Sequence, residues 1–165
     1  MTDYFIIIHG PLGCGKTTVV NALVKKLGAK CFHVDGVLEE HRLTNDREDG
    51  YISQKSFLKV NEIIVPVAMK LLNDGVPVIF DGNFYWKSQI EDLINRLDFP
   101  HYVFTLKAPV EVCIARDKQR TTPHGTDAVR AVYDKTMGFE YGIAIDATQS
   151  TNECMSEIIS CLSQT

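Results

Sequence analysis

The apolar positions of the chain change period repeatedly between an extended run and a helical stripe. Tyr4-Phe5-Ile6-Ile7-Ile8 is a continuous apolar run rich in β-branched residues, which predicts a buried strand. Val19, Val20, Leu23, Val24 and Leu27 then mark one helix face, stopped at Gly28. Cys31-Phe32-His33-Val34 reads as a second strand ended by Asp35-Gly36. Residues 37–53 are polar and predict a short helix followed by a mobile loop. From Gln54 to Asn73 the stripe is helical again; Pro66 should kink or divide that helix and Gly75 should cap it. Pro77-Val78-Ile79-Phe80 is a third strand running into Asp81-Gly82-Asn83. Ile90, Leu93, Ile94 and Leu97 fall at helical spacing within Lys87 to Leu97. His101 to Leu106 is a fourth strand, and Pro109 suits the first turn of the helix that carries Arg116 and Arg120. A loop at 121–125 leads to a helix through Val129, Val132 and Tyr133. Ile143-Ala144-Ile145 is a fifth strand, and Ser150 with Glu153 has capping-box spacing before a last helix.

Five strands alternating with helices imply βαβ units, a parallel sheet and helices on both of its faces. Ligands of such sheets sit beyond the carboxyl ends of the strands. Those ends here carry Gly10, Asp35, Asp81, Leu106-Lys107 and Asp146, three of them carboxylates.

The stretch after the first strand is Gly10-Pro11-Leu12-Gly13-Cys14-Gly15-Lys16-Thr17-Thr18. It satisfies every fixed position of G-x-x-x-x-G-K-[ST], in the strand-to-helix context that the motif requires. Backbone N–H groups can wrap a phosphate only where no Cβ obstructs the approach, which Gly10, Gly13 and Gly15 permit. The following helix adds free N–H groups and the positive end of its dipole. Lys16 supplies a cation for the β- and γ-phosphates, and the Thr17 hydroxyl is placed to ligate Mg²⁺.

Composition narrows the field further. The chain has 165 residues, 45% hydrophobic and 23% charged, as expected of one soluble globular domain spanning 1–165. A net charge of −4 gives no basic footprint for nucleic acid. The five cysteines are odd in number and lack C-x-x-C spacing, so neither a disulfide framework nor a zinc site is expected. Free thiols fit a reducing cytoplasm. Cys14, near a helix N-terminus, is either an activated thiol or a small filler of a variable loop position. The first apolar run is too short for a signal peptide or a membrane helix.

Outside the loop, Asp35 is a candidate to orient an acceptor hydroxyl and take its proton, or else a helix cap. Asp81, after Val78-Ile79-Phe80, has the form of a buried carboxylate that holds a Mg²⁺ hydration shell, or of an Asp-Gly turn. Asn83, Phe84, Tyr85 and Trp86 either wall an acceptor pocket or fill the core. Arg116 and Arg120, four apart, should share a helix face, either at the base of a flap over the transferring phosphoryl group or as a solvated basic helix end beside Lys118. Arg42 and Arg47 are candidates for an anionic acceptor, or else solvated residues of a polar loop.

With these residues together, the chain resembles the small P-loop kinases of the shikimate kinase, gluconate kinase, chloramphenicol phosphotransferase and polynucleotide kinase group, within the nucleoside-monophosphate-kinase-like fold. The resemblance rests on Gly10 to Thr18, Asp35, Asp81-Gly82, the Arg116/Arg120 helix and Asp146-Ala147-Thr148. It implies a three-layer P-loop NTPase fold, with five parallel strands in the order 2-3-1-4-5 and a short lid at about 116–130. It also implies Asp35 on the acceptor, lid arginines on ATP, and the loop after the fifth strand near adenine. Shikimate kinase has Gly-Gly-Gly where this chain has Asp81-Gly82-Asn83. The expected activity is transfer of the γ-phosphoryl group of Mg-ATP to a hydroxyl of a small molecule. A nucleoside, nucleotide or polynucleotide 5′-hydroxyl is the alternative acceptor. A non-catalytic ATP-binding regulator is the alternative of another class. A GTPase would need an Asn-Lys-x-Asp motif, which the chain lacks. Monomer and dimer are equally compatible with the sequence.

Overall fold

The computed structural model describes residues 3–164; positions 1, 2 and 165 of the expected 1–165 domain lie outside the described residues. The chain order is β1 (Phe5–His9), α1 (Lys16–Leu27), β2 (Lys30–His33), α2 (Val34–Glu40), β3 (Arg47–Glu48), β4 (Tyr51–Ile52), α3 (Gln54–Asn73), β5 (Val78–Gly82), α4 (Lys87–Leu97), β6 (His101–Lys107), α5 (Val110–Lys118), α6 (Thr126–Thr136), β7 (Ile143–Asp146) and α7 (Thr151–Leu162). The main sheet runs β2-β5-β1-β6-β7 and every neighbouring pair in it is parallel. Counting only its own strands, this is the 2-3-1-4-5 order implied by the resemblance.

β1 lies at the centre because all five of its residues are apolar or buried, so both faces must be covered. Its side chains alternate between two cores. Ile6 and Ile8 pack with Val20, Leu23, Phe104 and Ile158 on the side of α1 and α7. Phe5 and Ile7 pack with Phe57, Phe80, Leu93 and Leu38 on the side of α2, α3 and α4. Full burial of each such side chain contributes roughly 1.5–3 kcal/mol. A helix–sheet–helix sandwich follows directly from that alternation.

Several local expectations change. The short helix expected in 37–53 is α2, which begins already at Val34, and the stretch after it holds a hairpin, Arg47–Glu48 pairing antiparallel with Tyr51–Ile52 around Asp49 and Gly50, both at positive φ. Pro66 does not divide α3, which is assigned as a continuous helix of 20 residues. The α3 end closes on Asp74, with Gly75 in the left-handed region donating to the Leu72 carbonyl. The capping box of α7 forms as the spacing requires, with Ser150 Oγ accepting from Glu153 N–H and the Glu153 carboxylate accepting from Ser150 N–H. Among the described residues, no helix is long and apolar enough to cross a membrane.

Candidate active site

A cleft of about 840 Å³ opens at the carboxyl edge of the sheet, with Leu12 to Val19 along its floor. The sheet order divides its walls. On the β2/β5 side stand His33, Asp35, Leu38, Glu39, Thr44, Ile52, Asp81, Gly82, Asn83 and Tyr85. On the β6/β7 side stand Arg116, Arg120, His124, Ala147, Gln149, Ser150, Thr151 and Cys154.

The loop's glycines are dictated by close packing. Gly13 has φ +79°, and a Cβ there would collide with the Cys113 carbonyl of α5. Gly15 has φ +94° and ends the loop at the start of α1. The Lys16 ammonium folds back over the loop, donating to the Gly10 carbonyl at 2.7 Å, the Pro11 carbonyl at 2.8 Å and Asn83 Oδ1 at 3.1 Å. Gly10 and Pro11 are therefore anchors for the lysine and do not line the cleft. Thr17 and Thr18 are exposed, with hydroxyls that no protein group engages among the described residues. Cys14 is 2% exposed and packs in the core beneath the loop, so the filler reading of that position holds and the accessible-thiol reading does not.

Asp35 lies in the first turn of α2, not at its cap, and one carboxylate oxygen accepts from Asn83 N–H at 3.1 Å. Loss of water raises its pKa above the ordinary carboxylate value, opposed by the charge of Lys16 and by that N–H bond. Asp81 is inside β5, in register with His33 of β2, and His33 Nδ1 approaches its carboxylate at 3.0 Å. Both carboxylates and Lys16 line one cleft. The four-residue stretch after Gly82 splits. Asn83 and Tyr85 face the cleft, Phe84 is fully buried at φ +49°, and Trp86 donates to the Ile52 carbonyl beneath Lys135.

The arginines depart from the sequence reading. α5 ends at Lys118, so Arg120 lies beyond the helix in an exposed loop and shares no helix face with Arg116. Arg116 is held: its guanidinium donates to the Cys14 carbonyl at 2.9 Å and to the Ala147 carbonyl at 2.8 Å. It ties the phosphate loop to the turn after β7. At the helix end the Asp117 carboxylate accepts from the N–H groups of His124 and Gly125, which depress its pKa. The 116–130 segment offered as a lid comprises the end of α5, a short exposed loop and the start of α6. Arg42 also lies elsewhere. At φ +56° after α2, it lines a separate pocket of about 310 Å³ with Leu43, Asp46 and Lys59, and has no place in the main cleft.

Glu39, Thr44 and Ile52 of the 37–53 stretch, which the sequence offers as a shaper of the acceptor pocket, line the cleft, whereas sequence reasoning missed His33. A signal existed for Glu39, four residues after Asp35 and so on the same face of α2. None existed for His33, whose partner is fixed by strand register alone.

A family model described as an AAA domain matches residues 5–139. No curated protein matches the sequence. Among solved structures, the chain is similar to a gluconokinase from Sinorhizobium meliloti, at 18% identity and TM-score 0.74, covering 99% of this chain and 93% of that one. It is similar to a sugar kinase from a Janibacter species, at 16% identity and TM-score 0.75, covering 97% and 94%. It is also similar to a shikimate kinase from Bacteroides thetaiotaomicron, at 14% identity and TM-score 0.69, covering 97% and 98%. At these identities the likeness establishes a shared fold, that of the P-loop kinases.

Proposed function

The chain belongs to the AAA domain family, and from that premise we propose that it is a cytoplasmic, ATP-dependent phosphotransferase acting on a hydroxyl of a small molecule. The observation that carries the reading is the meeting, in one cleft, of a glycine-built phosphate cradle with Lys16, Asp35 and Asp81. The cradle fits a triphosphate because its glycines leave no Cβ over the amides, and its lysine exchanges carbonyl partners for phosphate oxygens. Thr17 and Asp81 fit magnesium, being a free hydroxyl and a buried carboxylate beside the loop. Mg²⁺ bound there would neutralise charge between the β- and γ-oxygens.

Asp35 accepts the acceptor's hydroxyl proton; its raised pKa makes it a stronger base than an exposed carboxylate. Arg116 shapes the nucleotide end by holding loop and turn together, and Arg120 is the arginine free to approach the phosphates. Gln149 to Thr151 and Ala147 form the wall for the base. Among the described residues, the acceptor end is lined by Asp35, Glu39, Thr44, Asn83 and Tyr85, with Lys16 as its lining cation and Arg47 within electrostatic reach of Tyr85. That wall favours an uncharged or amine-bearing hydroxyl compound over a carboxylate or phosphate ester.

The test is ADP release from Mg-ATP across hydroxylated metabolites, amino sugars, antibiotics, nucleosides and oligonucleotides, in the wild type, Lys16→Ala and Asp35→Asn. Stimulation by one compound, lost in both variants by about 100-fold or more, is the expected result. Tight ATP binding with no stimulation by any compound would instead establish a nucleotide-binding regulator.

A further inference from the structure

Three donors that the phosphotransferase reading leaves unused, or uses for something else, converge at the edge of the cleft. Cys31 and His33 are two residues apart on β2, so both side chains leave the same face of that strand. Asp81 is the register partner of His33 on β5. Cys31 Sγ lies 4.0 Å from His33 Nδ1, which lies 3.0 Å from Asp81 Oδ2, and the three atoms all fall within 4.8 Å of one another. Ligand atoms at about 2.0–2.3 Å from one tetrahedral ion stand roughly 3.3–3.8 Å apart, so small side-chain adjustments close this triangle around a single cation. The strands that carry the donors are hydrogen-bonded neighbours, so the backbone positions are already set.

The donor set decides the metal. Thiolate, imidazole and carboxylate together match Zn²⁺ or Co²⁺, whereas Mg²⁺ takes oxygen donors and keeps its waters. His33 and Asp81 line the cleft and the His33 side chain is 57% exposed, so an ion can enter and retain an open fourth position.

We propose that Cys31, His33 and Asp81 form a binding site for one zinc-class cation, and that filling it withdraws Asp81 from the nucleotide's magnesium. The site itself is independent of the phosphotransferase reading; only the withdrawal of Asp81 rests on it. Binding is balanced by release of the Cys31 thiol proton to solvent as the sulfur–metal bond forms. Asp81 cannot serve two cations at full strength, so zinc loading and Mg-ATP binding oppose each other.

The experiment uses the full chain, freed of metal with chelator and titrated with Co²⁺. A thiolate-to-cobalt charge-transfer band with intense four-coordinate visible bands is expected at one ion per chain, removed by one equivalent of Zn²⁺ and unaffected by excess Mg²⁺. Cys31→Ser should abolish the charge-transfer band, and His33→Gln, at a side chain 57% exposed, should weaken Co²⁺ binding at least about tenfold with an unchanged Tm in the metal-free chain. Cys161→Ser should leave both unchanged. Absence of a thiolate band, or its persistence in Cys31→Ser, overturns the site. In a second arm, Mg-ATP should bind the zinc-loaded wild type at least about tenfold more weakly than the metal-free chain, with no effect of zinc in Cys31→Ser. Zinc held through Cys31 with Mg-ATP affinity unchanged overturns the withdrawal of Asp81. Neither readout needs turnover, so a chain that phosphorylates nothing still answers both.

Discussion

Replacing Arg116 separates a positioning role from a charge role. Its guanidinium spans two carbonyls that belong to different parts of the cleft, Cys14 in the phosphate loop and Ala147 after β7. A hydrogen bond from a charged donor contributes about 1.5–3 kcal/mol at partly buried sites, and Arg116 is half-buried. Allowing for water reaching the freed carbonyls, Arg116→Ala should cost about 2–4 kcal/mol. For a chain of this size each kcal/mol lowers Tm by roughly 2–4 °C, so a fall of about 4–16 °C is expected by calorimetry. Arg116→Lys keeps the charge but presents one ammonium where a planar fork held two sites. It should recover at most half of the lost Tm, and the KM for ATP should stay raised. If Arg116 acted only as a charge on the phosphates, Lys would restore turnover and neither variant would move Tm. A Tm shift below about 2 °C in Arg116→Ala would sink the argument.

Three further outcomes follow from the geometry. Gly13→Ala should destabilise the chain well beyond the roughly 1–2 kcal/mol of a left-handed alanine, because its Cβ meets the Cys113 carbonyl, whereas Gly28→Ala at φ +65°, with nothing within 4 Å, should cost only that strain; equal Tm losses would contradict the packing account. Asp35 has a raised folded pKa, so its contribution to stability is greatest below about pH 3.8 and is lost as pH rises. Asp35→Asn should therefore raise Tm at pH 7, with the gain shrinking toward pH 4, and a lower Tm at pH 7 would show that the Lys16 attraction outweighs desolvation. His9 is fully buried and held neutral, its pKa lowered to about 3 by burial and by Lys16, against an ordinary 6.5. Its contribution is present above pH 6.5 and lost as pH falls toward 3, up to about 4–5 kcal/mol at 1.36 kcal/mol per unit. His9→Gln should flatten acid unfolding across that window, and an unchanged acid profile would refute the assignment.

Much of the architecture was legible because it depends on periods that survive without neighbours. The boundaries of α4 and α7, the five sheet strands and the phosphate loop all follow from local spacing. The departures have different origins. The spacing of Arg120 from Arg116 puts both on one helix, but α5 ends at Lys118 and the chain beyond it turns back so that His124 and Gly125 N–H groups reach Asp117. Pro66 lies where neighbouring packing of Ile64, Val65 and Ala68 in the α3 core outweighs one missing hydrogen bond. The β3–β4 hairpin was hidden because its strands are two residues each, too short to show alternation. His33 could not be assigned to Asp81 without the β2/β5 register, since a shift of one residue would turn it to the other face.

The interior around the cleft carries costs that a core built only for stability would avoid. Asp35 gives up water for one N–H bond and the nearby Lys16 charge. Phe84 accepts a left-handed backbone with a fully buried aromatic ring, an uncommon conformation for a bulky residue. His9 is stacked on Phe139 at 5.0 Å, its Nδ1 lies 3.2 Å from Thr105 Oγ1, and its Nε2 has no hydrogen-bond partner among the described residues. Two of these meet at Asn83, which precedes Phe84, receives Lys16 on its side chain and gives its N–H to Asp35. A relaxed turn at Phe84 would swing Asn83 away and leave both ionic groups without that link. The strain at Phe84 is thus coupled to the spacing of Lys16 and Asp35, the separation that a phosphoryl donor and a hydroxyl acceptor must bridge.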